Sequence, residues 1–165
     1  MREVMHAVAP EVIIITETNV PHGENISYFG AGNDEAQMVY NFALPPLLAF
    51  SVLKSNTEKL TKWAEEVALP GEGVCFFNFT ASHDGIGVRA VNGILDEKEI
   101  NFLVSTSIEH GGYASYRAIG DEDKSPYELN CSYIDLLTHP EEDDNLRVKR
   151  MMLSQAVVLA MQFNS

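Results

Sequence analysis

The chain has 165 residues, about one domain of ordinary size, and 11 basic against 24 acidic side chains give it a formal net charge of −13. That excess of carboxylate excludes nucleic acid and an anionic membrane surface as partners, while 45% hydrophobic residues and a mean hydropathy of −0.07 exclude a disordered acidic chain. No apolar run reaches the roughly 18 residues of a bilayer-spanning helix, the first six residues hold no signal-peptide core, and two cysteines, Cys75 and Cys131, make no disulfide framework, so a reducing cytoplasm is expected.

The first element is the run Glu11-Val12-Ile13-Ile14-Ile15-Thr16-Glu17. It is β-branched and does not alternate with polar residues, the pattern of a strand covered on both faces in a parallel sheet. It ends in a carboxylate, and Asn19-Val20-Pro21 stops it. A second strand is expected over Gln37–Phe42, broken by Pro45-Pro46, and a third over Gly73–Thr80, running toward His83-Asp84-Gly85. Between them, Pro45 to Leu53 reads as a helix with prolines in its first turn. Ser55 and Glu58 resemble a capping box for a further helix, whose apolar face is Leu60, Trp63, Ala64 and Val67. Asp96 with Glu99 starts another helix in the same way. The last helix follows Asp144 or Asn145, with Glu141, Glu142, Asp143 and Asp144 at its positive end, and is apolar nearly all round from Met151 to Met161, which predicts burial.

Strands alternating with helices imply right-handed crossovers and a parallel sheet, with chemistry at the carboxyl ends of the strands. Glu17 ends one strand and His83-Asp84 lies just past another, so two carboxylates are expected at one face. Three strands are about three-eighths of a (β/α)8 barrel. The fold class is therefore α/β: a small three-layer domain or, preferably, a piece of a barrel.

The stretches Ile15–His22 and Phe77–Gly87, together with Ser115-Tyr116-Arg117 followed by Ser125-Pro126-Tyr127-Glu128-Leu129-Asn130, resemble blocks of the family 13 α-glycosidases. The branch they resemble most holds sucrose phosphorylase and glucosylglycerate phosphorylase. The resemblance covers essentially the whole chain and implies that residues 1–165 are a fragment of a catalytic (β/α)8 barrel domain. The fragment is the C-terminal half, from the fifth strand to the seventh helix, with a loop insertion after the seventh strand. It implies a retaining mechanism on an α-glucoside, in which Glu17 falls on the acid/base glutamate, Asp84 on the stabilising aspartate and His83 on a histidine that binds sugar hydroxyls. The nucleophilic aspartate belongs to the preceding strand, which this sequence does not contain. Burial in a cleft beside other carboxylates is expected to raise the pKa of Glu17 for its acid role.

The insertion from Gly111 to Asn130 favours phosphorolysis over hydrolysis. Tyr127-Glu128 stands where sucrose phosphorylases carry Tyr-Gln, and Arg117 is the nearest cation for an anionic acceptor and phosphate; Arg89 is a weaker one. The substrate-binding residues are thus His83, Arg117, Tyr127 and Glu128. The partners are an α-glucoside and phosphate, the latter a co-substrate, with no cofactor. Five histidines and two cysteines show no zinc spacing, so no metal is expected. Gly85-Ile86-Gly87 lacks the lysine and helix start of a phosphate cradle, and His22 and Glu24 read as a polar loop facing water. Two alternatives stay open: a truncated, inactive fragment that forms a homo-oligomer or pairs with the missing remainder of the barrel, and an α-glucosidase or transglucosidase of the same family.

Overall fold

The β-branched run yields a short strand, and the reason lies in what covers it. In the computed structural model, which describes residues 2–119 and 123–161, helix α1 (Arg2–Val8) precedes β1 (Ile15–Thr16), followed by α2 (His22–Ser27) and β2 (Met38–Tyr40). Helices α3 (Leu44–Lys54) and α4 (Glu58–Glu66) then lead to β3 (Cys75–Phe77). The three strands pair in parallel in the order β1-β2-β3. Ile14 packs toward Phe29, Val39 and Phe76, but Ile13 and Ile15, on the opposite face, are about half exposed. The strand read as covered on both faces is covered on one, because the described residues pack only against its Ile14 side.

Helix α3 is the centre of the core. Pro45 and Pro46 occupy its first turn, where no intrahelical N–H is needed, and every residue from Leu44 to Ser51 is buried. The capping box expected at Ser55 and Glu58 does not form. Ser55 takes a left-handed φ of 51° to close α3, and the Asn56 side chain accepts from the Glu58 N–H instead, at 2.8 Å. By contrast Asp96 and Glu99 cap α5 (Glu97–Glu109) reciprocally, at 2.9 and 2.7 Å.

The insertion is not an open loop. After the short strand β4 (Ile86–Gly87), strands β5 (Tyr113–Ile119) and β6 (Asp123–Asn130) form an antiparallel hairpin, and the sheet order is β4-β6-β5. A bulge at Ser115/Tyr116 accommodates Pro126, which has no N–H for the ladder. Helix α6 (Tyr133–Leu137) docks on α3 through the Tyr133 hydroxyl, which donates to the Pro45 carbonyl at 2.9 Å. Helix α7 (Asp144–Ala160) is capped by the Asp143 carboxylate, which accepts from the Asn145 and Leu146 N–H groups. Its expected burial is corrected: Ser154 and Val158 are buried, whereas Met152, Leu153 and Leu159 are exposed. One stripe of α7 faces α6 and α3, and no described element covers the other side. Among the described residues no helix is long and apolar enough to cross a membrane.

Candidate functional site

Strands β1 and β3 flank β2, so their carboxyl ends lie two inter-strand spacings, about 10 Å, apart. The residues just past those ends close the gap: Glu17, His83 and Asp84 each place a ligating atom within 4.8 Å of the others. Asp84 is set by a tight turn in which Ser82 and Gly85 exchange backbone hydrogen bonds at 3.0 and 3.1 Å. The Asn130 amide also donates to the Asp84 carbonyl at 3.0 Å. Gly85 has a φ of 102°, and a Cβ there would be driven into the Leu129 carbonyl oxygen, so glycine is required. His83 Nε2 lies 3.3 Å from Asp84 Oδ1. All three side chains are exposed, which corrects the expectation that Glu17 sits buried: β1 is an edge, and the described residues wall its end on one side only.

The hairpin adds a third carboxylate. Glu128 on β6 is in register with Gly87 and Ser115, and its pKa is pushed up, first by burial and then by the negative charge of Asp84, against the stabilising Asn19, His83 and Ser115. Asn19 is the residue that sequence reasoning passed over, taking it only as a strand stop. It is buried, and its amide donates to the Tyr127 carbonyl at 2.9 Å, an oxygen that also accepts from the Val88 N–H at 3.0 Å. Its position two residues beyond a strand-ending carboxylate was the available signal.

Of the predicted residues, Glu17, His83, Asp84 and Glu128 therefore meet. Tyr127 contributes its carbonyl to this knot, while its ring lies 6.0 Å from the Arg117 guanidinium. Arg117 sits farther along the hairpin and lines, with Arg89, a separate cavity. His22, expected to face water, instead packs its ring edge-on to Trp63 and stacked on Phe76, at 5.4 and 6.0 Å. Among the described residues neither of its ring nitrogens has a hydrogen-bond partner, and burial pulls its pKa down. The Glu17, His83 and Asp84 set also has the donor types of a cation site, although exposed acidic groups commonly gather in this way without an ion.

Glucosylglycerate phosphorylases of Escherichia coli K12 and Allomeiothermus silvanus are each 46% identical to this sequence, over 160 and 164 residues. The chain belongs to the phosphorylase branch of glycoside hydrolase family 13. These alignments take in 97% and 98% of the chain but 29% of each relative, so it spans under a third of their length. The sucrose phosphorylase of Agrobacterium vitis is 31% identical over 114 residues. The fold is similar to that of the sucrose 6F-phosphate phosphorylase of Thermoanaerobacter thermosaccharolyticum, with a TM-score of 0.71 at 18% identity over 94% of this chain and 28% of that one. The parallel strands β1, β2 and β3 are thus part of a (β/α)8 barrel. No protein-family model matches the sequence.

Proposed function

We propose that this chain is the part of a retaining α-glucoside phosphorylase that supplies the acid/base Glu17 and the transition-state-stabilising Asp84. The convergence of Glu17, His83 and Asp84 within 4.8 Å, at the carboxyl ends of parallel strands, carries the reading. Phosphate as acceptor and a glucosylglycerate- or sucrose-like donor are supported by the relatives. In the first half-reaction Glu17 protonates the leaving glycosidic oxygen as the anomeric carbon passes to a carboxylate nucleophile from the preceding strand. In the second it takes the proton from phosphate as phosphate attacks that carbon, releasing α-glucose 1-phosphate. The Asp84 carboxylate faces the oxocarbenium-like charge, and His83 beside it binds sugar hydroxyls. An acid working near neutral pH needs cover, and in a complete barrel the facing strands supply it to Glu17.

In a protein carrying this sequence within a complete barrel, Glu17→Gln lowers glucose 1-phosphate formation by about 10²- to 10⁴-fold. Unchanged turnover removes Glu17 from the acid role, and equal turnover with water in place of phosphate makes the protein a hydrolase.

A second reading, an inactive fragment that pairs with itself, is favoured by the exposed apolar edge residues Ile13, Ile15 and Phe77 and by Met152, Leu153 and Leu159 on α7. Sedimentation of the purified chain at low concentration separates the two: a compact monomer counts against pairing, and phosphorolysis by the chain itself ends that reading.

A further inference from the structure

The β5–β6 hairpin has two faces, and only one of them looks at the carboxylate cluster. Along β5 successive side chains alternate, and residues opposite each other in the ladder share a face. Ser115 stands opposite Glu128, on the side of Asp84. Ala114 stands opposite Leu129 and packs on the main core, so Tyr116, two residues on and opposite Pro126, lies on that back face. Helix α5 packs against the hairpin and presents Glu97, Ile100 and Asn101, which share one helix face at i, i+3 and i+4. Between hairpin and helix lies a cavity of about 650 Å³, within the roughly 300–1,000 Å³ of a small-molecule site.

The lining of this cavity selects a ligand class. Leu95, Ile100 and Pro126 give it an apolar surface, and the Tyr116 ring, half exposed, adds a flat wall. Four polar side chains, Asn92, Glu97, Asn101 and Lys124, complete the lining. Among the described residues none of these four side chains has a hydrogen-bond or ion-pair partner. One carboxylate and one ammonium cancel, so the cavity asks for no net charge. A nucleotide would bring its phosphates to a chain of −13 with a single lysine to meet them. A purely apolar ligand would strip water from the four polar groups and give nothing back. An uncharged sugar meets both halves. Its C–H face lies on the aromatic ring and apolar surface, while its hydroxyls donate to Glu97, accept from Lys124 and do both with the two amides.

We propose that this cavity, behind the hairpin, binds an uncharged disaccharide stacked on Tyr116 and hydrogen-bonded by Asn92, Asn101 and Glu97. The proposal goes beyond the phosphorylase reading and does not rest on it: Glu17, His83 and Asp84 take no part. The sugar held here is a second molecule, on the opposite side of the hairpin from Glu128, and none of the residues that hold it touches reacting atoms.

The test is to titrate the chain with sucrose and, separately, with glycerol, which has hydroxyls but no ring. The side-chain amide signals of Asn92 and Asn101 and the ring signals of Tyr116 and His83 are followed by NMR. Sucrose is expected to shift the Asn92, Asn101 and Tyr116 signals to saturation, and glycerol is not. Tyr116→Ala weakens the binding by about tenfold, Tyr116→Phe keeps the ring and most of the affinity, and Asn101→Ala weakens it by about threefold to tenfold. Both positions are exposed, so these variants keep the fold, which circular dichroism checks. No saturable shift, equal shifts with glycerol, or binding unaltered by Tyr116→Ala overturns the site. Shifts confined to His83 put the sugar at the carboxylate cluster, which overturns the site and leaves the phosphorylase reading standing. Saturable shifts at Tyr116, with no glucose 1-phosphate formed by a complete barrel, support the site and overturn only that reading.

Discussion

Asn19 and Tyr127 are 108 residues apart and joined by a 2.9 Å hydrogen bond from the Asn19 amide to the Tyr127 carbonyl. That bond ties the strand end carrying Glu17 to the hairpin carrying Glu128. Gly87 makes room for it: a Cβ there would sit 2.7 Å from the Asn19 side chain. Asn19→Ala is expected to cost about 1–3 kcal/mol through the lost buried hydrogen bond, and Gly87→Ala about 1–3 kcal/mol through overpacking. The two are coupled. Once Asn19 is truncated, the three atoms nearest the new methyl at position 87 are gone, so the double variant loses less than the sum. Urea midpoints of the four proteins measure the coupling, and strict additivity would show that Gly87 has no role in seating Asn19.

Gly85 is the second place where the backbone decides the chemistry. Its φ of 102° is costly for any L side chain, and a Cβ would meet the Leu129 carbonyl oxygen. Gly85→Ala is expected to destabilise by about 1–3 kcal/mol from backbone strain alone. It should also move Asp84, which hangs from the same turn, away from Glu17. A drop in the thermal midpoint with loss of the amide shifts characteristic of residues 82–85 checks this; an unchanged midpoint contradicts it.

What was legible in the sequence was what local chemistry determines. Asp96 and Glu99 cap α5 as read because a capping box needs only three residues of context. Glu17 and Asp84 meet because both lie past the carboxyl ends of parallel strands, and parallel topology follows from alternation of strand and helix. The hairpin has the sequence pattern of a loop, polar and interrupted by Pro126. Its strands form through pairing with β4, a partner no local window contains. Ser55 and Glu58 matched a capping box in spacing, but Ser55 was already committed to closing α3 at positive φ. The exposure of Ile15 and Met152 was equally hidden. Hydrophobicity states that a side chain wants cover and is silent on whether a neighbour supplies it. The same limit hid the exposure of Glu17.

Glu128 supplies a pH signature. Its carboxyl is raised above its ordinary value of 4.5, by burial first and by Asp84 second. The folded state therefore holds this proton more tightly than the unfolded chain does. The associated stability is fully present below pH 4.5 and is lost as pH rises through the folded-state pKa. Glu128→Gln keeps a hydrogen-bonding amide and removes the charge. It is expected to be more stable than the parent at pH 7 and to lack that loss, measured as urea midpoint against pH. A variant that is less stable at pH 7 would mean that the ionised carboxylate is a net favourable partner of Asn19 and Ser115.

His22 works in the opposite sense. Burial pulls its pKa below the ordinary 6.5, and among the described residues neither ring nitrogen is hydrogen-bonded. The unfolded chain takes up this proton more readily than the folded one does. Its contribution is thus present above pH 6.5 and lost as pH falls through the folded-state pKa. His22→Phe keeps an aromatic ring against Trp63 and Phe76 and gives that ring no proton to accept. Between pH 7 and pH 5 the urea midpoint of the variant should fall less than that of the parent, because the remaining titrating groups are common to both proteins. Equal falls would mean that the imidazole escapes the aromatic pair when protonated and reaches water at no cost to the fold.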